Sequence, residues 1–463
     1  MSTTVSTDPA PAADPVATLA AQVTGRVMRP DDPGFANEIA GFNAATVHRP
    51  DVVVVAADAT DVAAAVRWAA AHGLPVGVQA TGHGAVTPIE GVLVSTRAMQ
   101  DLTVDPAART VRLGAGVKWS SVLAEAAPHG LAPLVGSSSD VGAVGYTLGG
   151  GLPVLGRAFG FAADLVRSLE VVTADGSIRH GDADHFPDLY WGLRGSKGNL
   201  GIVTSMTVEL LPITQLYGGG LFFPAELAAD LLPAWRDWCS GLPETTSSSL
   251  GFLRLPPLPD IREELRGRFV LHVRFAHLGD EATGERLLAP MRGLGPAVVD
   301  TMSMMPCTAM DRIHEDPTHP VPVYERSTVL TGLDDGTIST LLADIGPEAE
   351  TTVMMCELRQ LGGALARPAH IPDAIGVRGD GFALFALGVL APPIADLVPG
   401  HVDALMQSLE PHSTGRTFVN LHGVPRDRAD RARPWPDATY RRLCELKAAY
   451  DPANLFRFGH AIG

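Results

Sequence analysis

The sequence predicts an α+β protein of two lobes, and three observations carry that expectation. The chain has 463 residues, too many for one ordinary core and enough for two of roughly 200 residues each. Its first half alternates β-branched runs with capped, alanine-rich helical runs. Its second half carries longer strands and longer helices in separate blocks, the pattern of an antiparallel sheet covered by helices.

The elements follow in chain order. DVVVVAA, from Asp51, is apolar and β-branched; DATDVAAAVRWAAAHG has an Asp or Thr cap, an alanine-rich body and a terminal glycine; LPVGVQATGHG returns to strand and turn. Together they form a β-α-β unit. Strands follow at VLVST (92–96), LTVD (102–105) and TVRLGAG (110–116), then a helix in KWSSVLAEAAPHG that ends at Gly130. LEVVTADGSI makes a hairpin about Asp175-Gly176, and NLGIVTSMTVELLP supplies a last strand before a boundary near Pro212. Beyond it come a helix in ELAADLLPAWRDWCSGL and strands in RFVLHVRFAHL, TTVMMCELRQLGG and GFALFALGVLA. ATYRRLCELKAAYDPANLF is a helix closed by Asp-Pro. The expected division is a disordered leader at 1–15, a first domain at 16–212, a second at 213–445 and a segment 446–463 that returns to the first.

Composition narrows the classes. Hydrophobic residues make up 46% and charged residues 19%, a globular balance. The net charge of −16 repels phosphate backbones and anionic headgroups, which argues against nucleic acid and membrane partners. Gly381–Val398, the longest apolar stretch, is broken by Pro392-Pro393 and is too short to span a bilayer. The N-terminus lacks a basic n-region and an apolar h-region, so a cytoplasmic protein is expected. Cys239, Cys307, Cys356 and Cys444 are scattered, without zinc-site spacing or disulfide density. No metal site is expected.

HExxH, GxSxG, GxxxxGK[ST] and a strand-anchored GxGxxG are all missing, and Gly195-Ser196-Lys197-Gly198 has the wrong spacing for a phosphate loop. Three other stretches stand out. Gln79-Ala80-Thr81-Gly82-His83-Gly84 is a small-residue turn with one histidine at its apex; GSSSDVGAVGYTLGGGLPVLGRAFGFAADLV (136–166) holds far more glycine than packing needs; DLYWGLRGSKGNLGIV spans 188–203. Together they resemble the berberine bridge enzyme-like group of the vanillyl-alcohol oxidase superfamily, whose motifs are xxGGH, GxxxxVGxxGxxxGGGxGxxxRxxGLxxDxV and D(L/x)(F/Y)WxxRGGxGNFGVVT. The tail Tyr450-Asp451-Pro452-Ala453-Asn454-Leu455-Phe456 matches the group's YDPxNxF.

The resemblance implies the two-lobed fold of that superfamily, an FAD-binding lobe plus a substrate lobe, and FAD bonded through its 8α-methyl group to His83. A neutral imidazole is a competent nucleophile there, and the substituent it leaves makes hydride acceptance easier. Thr81, Gly82 and Gly84 flank it. Gly142, Gly145, Gly149, Gly150 and Gly151 would let backbone approach the cofactor, and the match continues through Arg157, Gly160 and Asp164. Asn199, Gly201, Val203 and Asn454 are the remaining matched cofactor positions. Many members add a second flavin bond from a cysteine that would fall at Ser138, so a singly linked cofactor is expected. Pro153 replaces a motif glycine, and Gln79, Ala80 and Thr81 replace the commoner arginine and glycines.

On the substrate side, Glu357 and Arg359 lie two apart on one face of a strand that matches the group's E-x-R-x-L-GG segment. The carboxylate could take a proton as hydride leaves, or the two could form an interface salt bridge. The YxNY tyrosines of many relatives are Phe418 and Leu421 here, and Phe385 and Leu387 stand where polar groups often do. His422 is a second candidate base. With 6% aromatic residues and these apolar replacements, a small apolar metabolite such as a polyketide or aromatic intermediate is the expected substrate, in secondary metabolism, with dioxygen as electron acceptor. An oxygenase of polyketide tailoring and a flavin-carrying binding protein without turnover are the alternatives.

Overall fold

The computed structural model describes residues 14–463. The expected leader lies outside the described residues except for its last two. Those two are ordered: Asp14 accepts from the Val16 N–H and caps a helix at Pro15–Ala20.

The first lobe holds two sheets. In one, Arg26–Met28, Val52–Val55, Val92–Ser95 and Val76–Gln79 stand in that order, the last three parallel. The helix Ala59–Ala71 makes the crossover from Val52–Val55, with Asp58 capping the N–H groups of Thr60 and Asp61. Its alanine face buries against the sheet, where Val62, Ala65 and Val66 are fully covered. The other sheet is antiparallel, in the order Leu102–Asp105, Thr110–Gly114, Ile202–Glu209, Val166–Val172, Ile178–Gly181. The hairpin at Asp175-Gly176 joins its last two strands, with Gly176 at φ +73.

Ile202–Glu209 ends in the first lobe and Gln215–Pro224 opens the second, an eight-stranded antiparallel sheet. Helices Ala228–Ser240, Glu281–Arg292, Asp335–Ile345 and Val398–Ser408 cover one face, where Trp235, Leu231, Leu341 and Val402 form the core with Phe252 and Leu384. The other face turns toward the first lobe: Val329 and Ala383 pack with Leu152, Phe161 and Phe418. Register then places the polar residues. Residues directly opposite in an antiparallel pair share a face, so Glu325 shares it with Leu387 and Met355, Ser327 with Phe385 and Glu357, and Val329 with Ala383, Arg359 and Ser249.

The chain returns to the first lobe about ten residues before the expected boundary at 446. Helix Asp437–Tyr450 packs on Pro187–Leu193, with Leu443 and Trp435 buried beside Trp191. Among the described residues no helix is long and apolar enough to cross a membrane, and no group of His, Cys, Asp or Glu is placed to hold a metal ion.

Candidate active site

The two lobes enclose a cleft of about 360 Å³. The first lobe lines it with the turn around His83, the glycine segment from Gly136 to Leu152 and residues 197–203; the second supplies Arg359, Phe418, Asn420 and Leu421; the tail adds Phe456, Phe458 and His460.

The His83 turn follows directly from the strand Val76–Gln79. Gly82 takes φ +78, and a side chain there would collide with the Gly41 backbone, so only glycine fits. Gln79 braces the turn. His48 Nδ1 accepts from the Ile89 N–H, so its Nε2 donates to Gln79 Oε1 at 2.8 Å, and Gln79 Nε2 donates to the Ala40 carbonyl. Arg97 Nε donates to the Ala80 carbonyl at 2.8 Å. The imidazole of His83 stacks on Phe42, with centroids 3.9 Å apart, and its Nδ1 meets Thr81 Oγ1 at 2.8 Å. Among the described residues Nε2 has no protein partner. Burial pushes the imidazole down to about 4, against weaker opposing pulls from Asp140 and Asp316, so it stays neutral at physiological pH.

The glycines divide by what requires them. A Cβ at Gly145 would meet nothing within 4 Å, one at Gly198 only Val78 at 3.9 Å, and one at Gly142 only the Thr81 and Ala80 side chains from 3.5 Å outward. Packing within the protein does not need glycine at these three cleft positions; a ligand lying against the backbone does. The cradle fits FAD. Gly149 is needed for a different reason, since a side chain there would collide with the Asn420 amide, whose Nδ2 donates to the Tyr146 carbonyl at 2.7 Å. Gly84 abuts Lys197, and a Cβ at Gly201 would lie 2.7 Å from the Val172 carbonyl.

Several expected positions do different work. Gly150 does not line the cleft; it takes φ +95, with its vacant Cβ position toward Ile375, and Gly151 lines the cleft instead. Ser138 is buried and accepts from the Asp140 N–H at 3.2 Å, while Gly136 and Ser137 face the cleft. None of the four cysteines lines it. Asn199 is at the cleft but its amide is spent on the tail: Nδ2 donates to the Ser196 and His460 carbonyls and Oδ1 accepts from the Ile462 N–H. Val203 is a buried strand residue at the cleft floor. Asn454 is exposed and away from the cleft, because it occupies a left-handed turn at φ +50 that points it to solvent. Asp451 carries that motif's weight. Its carboxylate accepts from Leu455 N–H, Phe456 N–H and Lys447 Nζ, at 2.7, 2.9 and 2.7 Å, and so folds the tail that brings Phe456 and His460 to the cleft.

The two candidate bases are placed unfavourably for that role. Glu357 is 4% exposed and does not line the cleft. One carboxylate oxygen accepts from Arg274 at 2.9 Å and His314 at 3.2 Å, the other from Arg359 at 2.7 Å. Burial alone would raise it, but the two guanidiniums hold it well below the ordinary carboxylate range, so it stays ionised with both oxygens occupied. Arg359 does reach the cleft wall. His422 sits one layer behind, 1% exposed, with Nε2 on the Asp430 carbonyl at 3.0 Å and burial pushing it down to about 4.

Two ionisable groups were not anticipated. Lys197 lines the cleft in a left-handed conformation, and Glu325, on the same sheet face as Leu387, feels its charge. Lys197 did carry a signal, a lone charge in the variable position of RGGxGN; Glu325 lies in VYERSTVL, a strand without a motif.

Comparison with known proteins agrees with this geometry. Residues 50–182 match the family described as FAD binding domain, and residues 435–463 the family described as berberine and berberine like. This chain is a berberine bridge enzyme-like FAD-linked oxidoreductase. Its relatives include (R)-6-hydroxynicotine oxidase of Paenarthrobacter nicotinovorans, 27% identical across 95% of this chain and 97% of that protein. The FAD-linked oxidoreductase YvdP of Bacillus subtilis is 28% identical across 95% and 98%. Among solved structures, 6-hydroxy-D-nicotine oxidase from Arthrobacter nicotinovorans superposes with a TM-score of 0.82 at 24% identity, covering 95% of this chain and 98% of that one. BBE-like 1 of Physcomitrella patens gives 0.82 at 17% identity, over 97% and 99%. The berberine bridge enzyme-like fold thus extends over both lobes.

Proposed function

We propose that this oxidoreductase holds FAD covalently through His83 and oxidises a small, largely apolar molecule of cytoplasmic secondary metabolism, with dioxygen as acceptor. One observation carries the reading: a neutral imidazole with an unpartnered Nε2 stands at the edge of a cleft whose glycines make room for a cofactor and not for packing. FAD supplies a two-electron acceptor for hydride. The chain's own residues do the rest. Thr81 and Phe42 orient the imidazole, Asn420 ties the glycine helix Ala143–Leu148 to the second lobe, and the tail behind Asp451 closes the cleft.

Phe418, Leu421 and Leu152 make the substrate side apolar, and Phe385 and Leu387 continue that surface on the sheet. Arg359, held by Glu357, is the charge on the second lobe's cleft wall. A relative named as an oxidase supports dioxygen as the acceptor.

The test is acid precipitation of the purified yellow protein. Flavin should stay in the pellet of the native protein and move to the supernatant for His83→Ala. Native protein that releases all its flavin refutes the covalent reading.

A further inference from the structure

We propose that the substrate is an apolar carboxylate whose acid group is held by Arg359 and the Tyr146 hydroxyl on one wall of the cleft. This rests on the reading of the cleft above as an oxidase site.

The charge of the cleft points to an anion. Acidic side chains outnumber basic ones 51 to 35 in the chain, yet among the described residues no Asp or Glu lines the cleft, which carries Lys197 and Arg359. Its histidines add no charge: burial holds His83 and His460 down at about 4 and 3 and lowers His48 as well. The two cations stand on different lobes. Lys197 belongs to the first, its Nζ 2.7 Å from the point a Cβ on Gly84 would occupy, beside the glycines that make room for FAD. Arg359 belongs to the second lobe's wall with Phe418 and Leu421, the apolar side read above as the place of the substrate.

Arg359 has donors left for a ligand. A guanidinium carries five N–H donors; here Nη2 donates to Glu357 Oε2 at 2.7 Å and Nη1 to the Leu152 carbonyl at 3.3 Å, while Nε has no partner among the described residues. Its counter-charge is shared. Glu357 also binds Arg274 at 2.9 Å, so two buried guanidiniums stand on one carboxylate and the cluster keeps one net positive charge. Asp316 acts on Arg359 only from beyond bonding distance. A buried unbalanced charge is costly until a counter-ion meets it, and the planar guanidinium fork matches a carboxylate better than it matches a neutral carbonyl or hydroxyl.

Tyr146, which also lines the cleft, supplies a second donor. Glycines at 136 and 151 make room for its ring, since a Cβ at either would lie 2.9 or 2.5 Å from a ring carbon. Gly151 is followed by Leu152, whose carbonyl accepts from Arg359, so the ring and the guanidinium meet adjacent residues of one segment, and the charge of Arg359 acts on the phenol. The hydroxyl is shut off from solvent without a protein partner among the described residues, and burial raises it above its ordinary range, so it keeps its proton to donate. Ser249, His314 and Gln360 also carry unpartnered buried atoms, but they line a separate cavity of about 20 Å³ and not the cleft. A carboxylate accepting from Arg359 and Tyr146 leaves the body of the substrate to Phe418, Leu421 and Leu152. An amine in its place would meet like charge from both lobes.

The test titrates the flavin-loaded native protein with benzoate, benzamide and benzylamine, three probes of similar shape and different charge. Calorimetry reads affinity, and the flavin difference spectrum registers binding in the cleft. Benzoate should bind at least about tenfold more tightly than benzamide, the scale of a hydrogen bond to a charged group, and benzylamine should not bind. Arg359→Met should abolish the preference by weakening benzoate and not benzamide. Tyr146→Phe should weaken benzoate about fivefold, and Lys197→Met should leave the preference in place. Benzoate binding no tighter than benzamide in the native protein overturns the substrate class. A preference kept in Arg359→Met overturns the assignment, and its loss in Lys197→Met instead moves the anion to the first lobe. If Arg359→Met does not fold, Arg359→Lys and Tyr146→Phe decide: native benzoate affinity in both overturns the proposal. Native protein purified without a flavin spectrum refutes the oxidase reading itself, before any probe is added.

Discussion

Replacing Glu357 with Gln separates a base from an ion-pair anchor. Among the described residues the carboxylate is the only anion within bonding distance of Arg274, and it also binds Arg359 and His314, all of them largely shielded from water. The amide keeps the shape but leaves two guanidiniums close together without a counter-charge. Breaking a buried pair from one side costs about 3–5 kcal/mol. For a lobe of roughly 200 residues each kcal/mol moves the thermal midpoint by about 2–4 °C, so a fall of roughly 6–20 °C is expected. The pH dependence gives an independent check. Glu357 is held well below its ordinary range in the folded state, so its contribution is present above the unfolded value of 4.5 and is lost as pH falls through the folded value. Differential scanning fluorimetry of both proteins between about pH 3 and 7 should show a large gap at neutral pH that narrows in acid. A thermal midpoint within about 2 °C of native, coupled with loss of flavin reduction by a substrate, would refute this reasoning and restore Glu357 as a base.

Other expectations follow from the same geometry. In a His83→Ala background, Gly145→Ala should leave the thermal midpoint of flavin-free protein unchanged, since a Cβ there meets nothing within 4 Å, yet weaken FAD binding by about tenfold in a fluorescence titration; unchanged affinity would mean the cofactor does not lie on that backbone. Asp451→Asn should cost about 3–5 kcal/mol by stranding Lys447 and loosening the tail, visible as a lowered midpoint and flavin loss. His83, His422 and His460 are held below 6.5, at about 4, 4 and 3, so the unfolded chain binds more protons in acid. Stability should fall as pH drops from about 6.5 toward 4, and His422→Gln should flatten part of that slope in pH-dependent melting curves.

Much of the fold and of the cofactor cleft was legible in the chain. Asp58 before an alanine-rich run, Asp175-Gly176 between β-branched runs and the alternating pattern of the later strands are local signals, and local hydrogen bonding and burial enforce them. The glycines at 142 and 145 announced themselves because no packing needs them. The motif could not say which of its members touch the cleft. Asn454 and Asp451 sit in one tail motif, and only the left-handed turn shows that the asparagine points to solvent while the aspartate collects three donors.

The ionisable groups divide in the same way. Sequence alternation placed Glu357 and Arg359 on one strand face, correctly by register, but the partners that occupy that carboxylate, Arg274 and His314, are 83 and 43 residues away in the chain. Lys197 and Glu325 come close enough to feel each other's charge only because the second sheet closes over the first lobe, stitched where Val321 pairs with Phe42. Periodicity and turn chemistry act over a few residues, so the sequence by itself determined the elements, their buried faces and the glycine cradle. The charge of a buried group depends on everything packed around it from any distance along the chain, so only the tertiary structure decided that the Glu357 carboxylate is saturated.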